Sequence, residues 1–243
     1  MKLIISLLMV MNSWTALKAA SLADVGVAYF SRYWGLLYNQ FRKIHSNGSR
    51  LEWFNEVALP NAASFPKSAK LFVGALPIHY DAISGIDYYN EMLHVGVNAV
   101  LSVVDEYEIQ SREGLSDYKA YFSRFRPVTK EDWRKANVDQ LHLESPDFDG
   151  VSVENLLAAA AYIRISLHDG KVIYVHCKSG VGRSVSAILA FLIRDEKMSL
   201  EEAYAYVTRY RPQAHLNAKQ FEKMKEFEKI VHPNLRDTNA SAQ

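Results

Sequence analysis

The sequence predicts an α/β domain of three layers, with a central, mostly parallel sheet flanked by helices. Four short apolar runs, near Leu71, Val97, Val138 and Val172, alternate with stretches of helical pattern, and strands that alternate with helices build layered α/β domains. The last run, Val172-Ile173-Tyr174-Val175, passes through a short loop holding two glycines into an apolar helical pattern from Val185 to Ile193. That succession is a buried strand, a tight loop and a helix N-terminus.

Residues 1–45 differ in character from the rest. The apolar run Leu3 to Met11 is shorter than the about twenty residues a membrane span takes, and resembles the core of a secretory signal with a cleavage region near Ala19-Ala20. From Val27 to Ile44, the side chains Phe30, Trp34, Leu37, Phe41 and Ile44 recur at helical spacing, beside Tyr29, Tyr33, Tyr38, Arg32, Arg42 and Lys43. Aromatic and basic residues together suit a membrane–water interface; a helix packed on the folded domain is the alternative. Residues 1–45 are therefore expected to be a signal or membrane-anchoring segment. A linker is expected over 46–68, from the Ser46-Asn47-Gly48-Ser49 turn to the loop marked by Pro60 and Pro66.

The domain itself is expected over 69–232. Helices are expected from Tyr80 to His94 and from Val151 to His168, between the strands. The segment Ser111 to Pro127 is polar and aromatic and fits an insertion beside the pocket. Val138 to Leu143 alternates as a half-buried strand does, and Glu144 to Gly150 is a loop by its Pro, Asp and Gly. Three further helices are expected: Gly182 to Lys197, Ser199 to Tyr210 with Glu202 completing a capping box, and Asn217 to Val231. Residues 233–243 are expected to be a disordered tail.

Composition narrows the function. A chain of 243 residues with 49% apolar content can bury a sizeable core. A net charge of +1 gives no case for nucleic-acid binding. One cysteine rules out an internal disulfide and leaves no resolving thiol. The eight histidines are scattered, so neither a metal nor a cofactor is expected. Nothing in the sequence fixes an oligomeric state.

The nine residues His176-Cys177-Lys178-Ser179-Gly180-Val181-Gly182-Arg183-Ser184 concentrate the chemistry. A loop feeding a helix N-terminus can aim successive N–H groups at one anion, with the helix dipole behind them. The backbone of Lys178, Ser179, Gly180, Val181, Gly182 and Arg183 would hold phosphate oxygens, and the Arg183 guanidinium would fork onto two of them. Cys177 would attack phosphorus as thiolate, a form that helix N-termini and nearby cations favour by bringing cysteine to roughly 3.5–7.5. Ser184 would donate to the sulfur as it departs, and His176 would orient the Cys177 backbone. A buried small hydrophobe or a sulfurtransferase-type anion loop are the competing readings of Cys177.

The pattern H-C-x-x-G-x-x-R-S resembles the active-site loop of the cysteine-dependent protein-tyrosine and dual-specificity phosphatase superfamily, which implies a dual-specificity-phosphatase-like domain and a phosphoric monoester hydrolase. That family places its general acid on a loop about thirty residues before the cysteine, which selects Asp147; Asp149 is the rival and better suited to capping the next helix. The stretch Leu71-Phe72-Val73-Gly74-Ala75-Leu76-Pro77 resembles the first-strand motif of the mitochondrial-type phosphatidylglycerophosphatase and protein-tyrosine phosphatase family. Asp105-Glu106-Tyr107-Glu108 resembles that family's E-E-Y-E loop, making Glu106, Tyr107 and Glu108 possible substrate-loop residues, with a solvated loop as the alternative. Asp147 and Gly150 match its D-x-x-G acid loop, and Arg211-Pro212 and Gln220 its C-terminal stretch.

Val181 stands where that family carries a second arginine, and Asp105 where it carries glutamate. The resemblance implies a phosphorylated lipid as substrate, phosphatidylglycerophosphate first, at a membrane surface: the mitochondrial inner membrane in a eukaryote, otherwise the cell envelope or outside the cell. A phosphoprotein or a phosphoinositide is the alternative substrate, and a non-catalytic phosphate-binding module the alternative class.

Overall fold

Five strands form one sheet in the order β1-β2-β5-β3-β4 in the computed structural model, which describes residues 53–79, 86–109 and 127–233. The strands are β1 (Phe54–Val57), β2 (Lys70–Gly74), β3 (Ala99–Val104), β4 (Asp139–Glu144) and β5 (Val172–His176). β2, β5, β3 and β4 run parallel, and β1 pairs antiparallel with β2. β3, with the sequence AVLSVV, is buried at every residue. Such a run, apolar on both faces, belongs at the centre of a parallel sheet covered on both sides.

Strand side chains alternate between faces, and the core divides accordingly. Leu71, Val73, Leu101, Val103, Ile173 and Val175 face helices α4 (Val153–His168), α5 (Arg183–Arg194), α6 (Leu200–Tyr210) and α7 (Ala218–Val231). Phe72, Val100 and Tyr174 face the other way, against Met92 of α1 (Tyr88–His94) and Trp133 of α3 (Lys130–Lys135). These are the three layers. α5 is buried from Arg183 through Ile193, so the helix that follows the cysteine loop is a fixed post in the core. The capping box expected at Ser199 and Glu202 closes α6 as the sequence indicates.

The structure corrects three expectations. Residues 53–68 are not a linker: β1 lies within them, and Trp53, Val57 and Phe65 are buried, with the Trp53 ring stacked 4.1 Å from Tyr88. A four-residue strand between turn residues carries too little alternation to stand out. The Asp105-Glu106-Tyr107-Glu108 stretch is not a loop, because Glu106–Ile109 forms a short helix, α2. Finally, α4 is capped by Ser152, which accepts from Asn155 N–H, and not by Asp149. The expected helix from Tyr80 is seen from Tyr88 onward, and residues 80–85, the N-terminal segment 1–45, most of the expected insertion, and the tail from 234 lie outside the described residues. Among the described residues no helix is long and apolar enough to cross a membrane.

Candidate active site

The loop from Cys177 to Gly182 is built by turning its carbonyls outward. Lys178 O accepts from Leu76 N–H at 3.1 Å, and Val181 O from His215 N–H at 2.9 Å. Gly180 O accepts from Arg211 Nε at 3.0 Å and Ser179 O from Arg211 Nη2 at 3.5 Å. With four successive carbonyls committed to donors outside the loop, its N–H groups are left to the inside, and Gly180 N–H points at Cys177 Sγ at 3.3 Å. Gly180 has φ +67°, and a Cβ there would fall 2.3 Å from the Gly74 backbone. Only glycine combines that left-handed backbone with so close an approach.

Cys177 is buried, and Ser184 Oγ donates to its sulfur at 3.4 Å. Burial alone would raise the thiol. The Arg183 charge and hydrogen bonds from Ser184 Oγ and the Ser184 and Val181 backbone outweigh that cost and hold Cys177 below the ordinary thiol value. Its thiolate is therefore favoured in a site shielded from water.

His176 is not placed to take a proton. Burial drives it down to about 3, so it is neutral near pH 7. Its Nδ1 lies 3.3 Å from Cys177 O and its Nε2 2.8 Å from Ser102 Oγ, to which Gln140 Nε2 donates at 2.7 Å. A carbonyl can only accept, which assigns the proton to Nδ1 and makes Ser102 the donor to Nε2. The ring thus fixes the start of the loop, as the sequence indicates.

Arg183 is 2% exposed and surrounded by oxygens. Nη1 donates to Glu108 Oε2 and to Ser145 O, each at 2.7 Å, and Nη2 to Glu108 Oε1 at 3.2 Å. Asp147 Oδ1 lies 3.0 Å from Nη2, while Asp147 Oδ2 accepts from Lys178 Nζ at 2.8 Å. Burial would lower Arg183, but the negative partners Glu108, Cys177 and Asp147 raise it further, so it is permanently charged. Asp147, about one-sixth exposed, sits between the two cations of the loop, whereas Asp149 is half exposed and pairs with Lys219 at 3.3 Å. The Lys219 hydrogen bond holds Asp149 below its ordinary value.

A nucleophile, an anion-binding arginine and a carboxylate on a neighbouring loop are thus brought together: the set needed to transfer a phosphoryl group to sulfur and then to water. The sequence matches the catalytic domain of dual specificity phosphatases over residues 119–230. Among curated proteins, the chain is 26% identical over 214 residues to human phosphatidylglycerophosphatase and protein-tyrosine phosphatase 1, covering 88% of this chain and 92% of that one. It is 27% identical over 193 residues to phosphatidylglycerophosphate phosphatase PTPMT1 of Arabidopsis thaliana, covering 79% of this chain and 47% of that one. The crystal structure of PTPMT1 in complex with PI(5)P superposes with a TM-score of 0.55 at 24% identity, over 79% of this chain and all of that one. That of Tk-PTP in the active form gives 0.51 at 28% identity, over 65% of this chain and 91% of that one.

Over residues 119–230 the chain carries a dual-specificity phosphatase catalytic domain.

In this phosphatase the residues singled out in the sequence separate into two groups. Cys177, Lys178 to Arg183, Ser184 and Asp147 converge. Glu106 lies outward, paired with Lys130 at 2.8 Å and His142 at 3.1 Å, and Glu108 is fully buried behind Arg183. A carboxylate enclosed in this way is unavailable to substrate, which corrects the substrate-loop reading of Glu108; the side chain of Tyr107 lies outside the described residues. Sequence reasoning assigned no part in the site to the side chains of Lys178, Ser102 and Arg211. A basic residue directly after the cysteine was the one local signal available for Lys178.

Proposed function

We propose that this phosphatase hydrolyses the phosphate monoester of a membrane lipid, phosphatidylglycerophosphate or a close relative, by way of a cysteinyl-phosphate. The observation that carries the chemistry is the placement of Cys177 Sγ between the loop's N–H groups and the Arg183 charge, with Asp147 across the same cations. The Cys177 thiolate attacks phosphorus as the ester P–O bond breaks, and protonated Asp147 gives its proton to the departing oxygen. Water then attacks the S-bound phosphorus, Asp147 takes the water proton, and the S–P bond breaks to return thiolate and inorganic phosphate. Ser184 Oγ–H steadies the sulfur as it leaves. Backbone N–H groups from Lys178 to Arg183 carry the oxygen charge through both transition states.

The lipid substrate is supported by the likeness to the human and plant phosphatidylglycerophosphatases, which in the human case runs along 88% of the chain. A membrane surface as the place of action, mitochondrial by the same likeness in a eukaryote, accords with the aromatic and basic stripe from Phe30 to Ile44. A second reading, phosphoprotein hydrolysis, is favoured by Val181 in place of the family's arginine and by 28% identity over 151 residues to rat dual specificity protein phosphatase 12. Phosphate release measured in parallel on phosphatidylglycerophosphate in mixed micelles, a phosphoinositide panel and a phosphotyrosine peptide separates the two. A higher kcat/KM on the lipid is expected; a clear preference for the peptide replaces the substrate and leaves the cysteinyl-phosphate route standing.

A further inference from the structure

The four outward carbonyls of the phosphate loop are held from three places, and two of the four depend on one side chain. Arg211 is fully buried, at 1% exposure. It occupies the C-cap of α6, its own N–H bonded to Val207 O, so the helix mounts it rigidly. Its Nε and Nη2 reach Gly180 O and Ser179 O, and its Nη1 donates to Asn55 Oδ1 at 2.8 Å. Asn55 belongs to β1 and lies 156 positions away in the chain. The loop also meets the Gly74 backbone, and a Cβ on Gly180 would sit 2.3 Å from Gly74 C and 2.6 Å from Arg211 Nη2. The loop is packed against a strand end and this guanidinium.

We propose that Arg211 is a positioning residue for phosphoryl transfer, and that Asn55 sets its side chain. By holding two consecutive carbonyls outward, Arg211 keeps the peptide planes around Gly180 in the orientation that presents N–H groups to the anion and to Cys177 Sγ. Donors aimed in advance bind the phosphate oxygens without reorganising when charge builds up. A guanidinium hydrogen-bonded to those carbonyls also polarises the peptide groups they belong to, strengthening the inward N–H donors. Asn55 contributes by orientation: it ties the third nitrogen, so the fork meets the loop at one angle. β1 is thereby part of the catalytic apparatus, although it lies outside residues 119–230, where the family match is found. The inference rests on the phosphate-loop reading given above.

The test uses the full chain. Arg211→Met and Asn55→Leu are compared with the conservative variants Arg211→Lys and Asn55→Asp, using inhibition by inorganic phosphate and by tungstate, and the pH profile of Cys177 alkylation by iodoacetate. Arg211→Met is expected to weaken both anions by about tenfold or more, since buried carbonyls lose their donors, and to move the alkylation profile to higher pH. Asn55→Leu is expected to act in the same direction by a smaller factor, and Asn55→Asp, which can still accept from Nη1, to restore anion binding. A purely structural role would lower the melting temperature while leaving anion binding and the alkylation profile in place, and that result would overturn the proposal. So would an Asn55→Asp variant no better than Asn55→Leu. Should Arg211→Met fail to fold, the Asn55 pair decides alone. Failure of the underlying phosphatase reading has a separate signature, namely activity that survives Cys177→Ser.

Discussion

Asp147 Oδ1 lies 3.0 Å from Arg183 Nη2 while its other oxygen accepts from Lys178 Nζ, so the proposed acid occupies the cations that a substrate phosphate would claim. Both terminal nitrogens of Arg183 already have protein oxygens against them. A phosphate dianion must therefore displace the carboxylate, and in doing so it places negative charge beside Asp147. Like charges disfavour the ionised form, so the exchange itself favours the proton that the acid must carry.

Replacing Asp147 should separate binding from turnover. Asp147→Ala is expected to lower kcat by roughly 10²–10⁴ and yet to bind inorganic phosphate more tightly, because a competing carboxylate is gone. Asp149→Ala should leave both nearly unchanged, since that side chain pairs outward with Lys219. Steady-state rates and phosphate inhibition constants measured together check this. Weaker phosphate binding in Asp147→Ala would show that the carboxylate supports the anion site and does not compete for it.

Glu108→Gln should destabilise the fold. Glu108 and Arg183 are a buried pair joined at 2.7 and 3.2 Å, and removing one charge of such a pair costs about 3–5 kcal/mol because the other is left uncompensated. Asp147 supplies part of the missing charge, which places the expected loss at the lower end. Denaturant titration of the two proteins at pH 7 measures it directly.

Stability should fall as pH drops below about 6.5, the ordinary histidine value, with His176 as a contributor. Its folded value is depressed to about 3, so between those limits the unfolded chain binds a proton that the folded chain refuses. Stability then rises with pH across that window and is fully present above it. Urea midpoints at pH 7.5 and pH 5, for the wild type and for His176→Gln, isolate the contribution as the difference between the two slopes. Equal slopes would mean that the ring is charged in the folded state.

Ser184→Ala should slow the second half of the reaction more than the first. The hydroxyl donates to Cys177 Sγ at 3.4 Å, where it assists a sulfur that is leaving. Rapid-quench measurement on an aryl phosphate is expected to show a burst of phenol followed by a slow steady state. A uniform loss with no burst would place the hydroxyl's role in forming the thiolate instead.

A chain beginning at residue 51 should stay active while losing attachment to liposomes, and one beginning at residue 69 should lose activity. The first result follows from the aromatic and basic stripe expected over 27–44. The second follows from β1 and the buried Trp53, Val57 and Phe65. Flotation and phosphatase assays on the three lengths test both, and equal flotation of full-length and residue-51 chains would remove the anchor.

What could be read in the sequence divides along contact distance. Cys177, Arg183 and Ser184 fall within one loop-and-helix pattern, and α5, α6 and α7 each carry their own apolar periodicity. The acid loop was legible because Asp147, Pro146 and Gly150 are turn residues after a strand. Glu108 was not, since its partner Arg183 lies 75 positions on and nothing near Glu108 marks it as buried. β1 and Asn55 were hidden for the same reason: a four-residue strand gains its place only by pairing with β2, and its asparagine only by meeting an arginine at the other end of the chain.

The chain holds a single thiol, and that thiol is the one enclosed by the phosphate loop. Chemistry at a thiol is therefore chemistry at the active centre and nowhere else. A brief exposure to an alkylating label at low pH counts the intact loops in a preparation, and a mass shift reads the count without digestion. Chains whose loop has collapsed would react as ordinary thiols do, more slowly at low pH. The fraction of competent enzyme can thus be measured without any substrate.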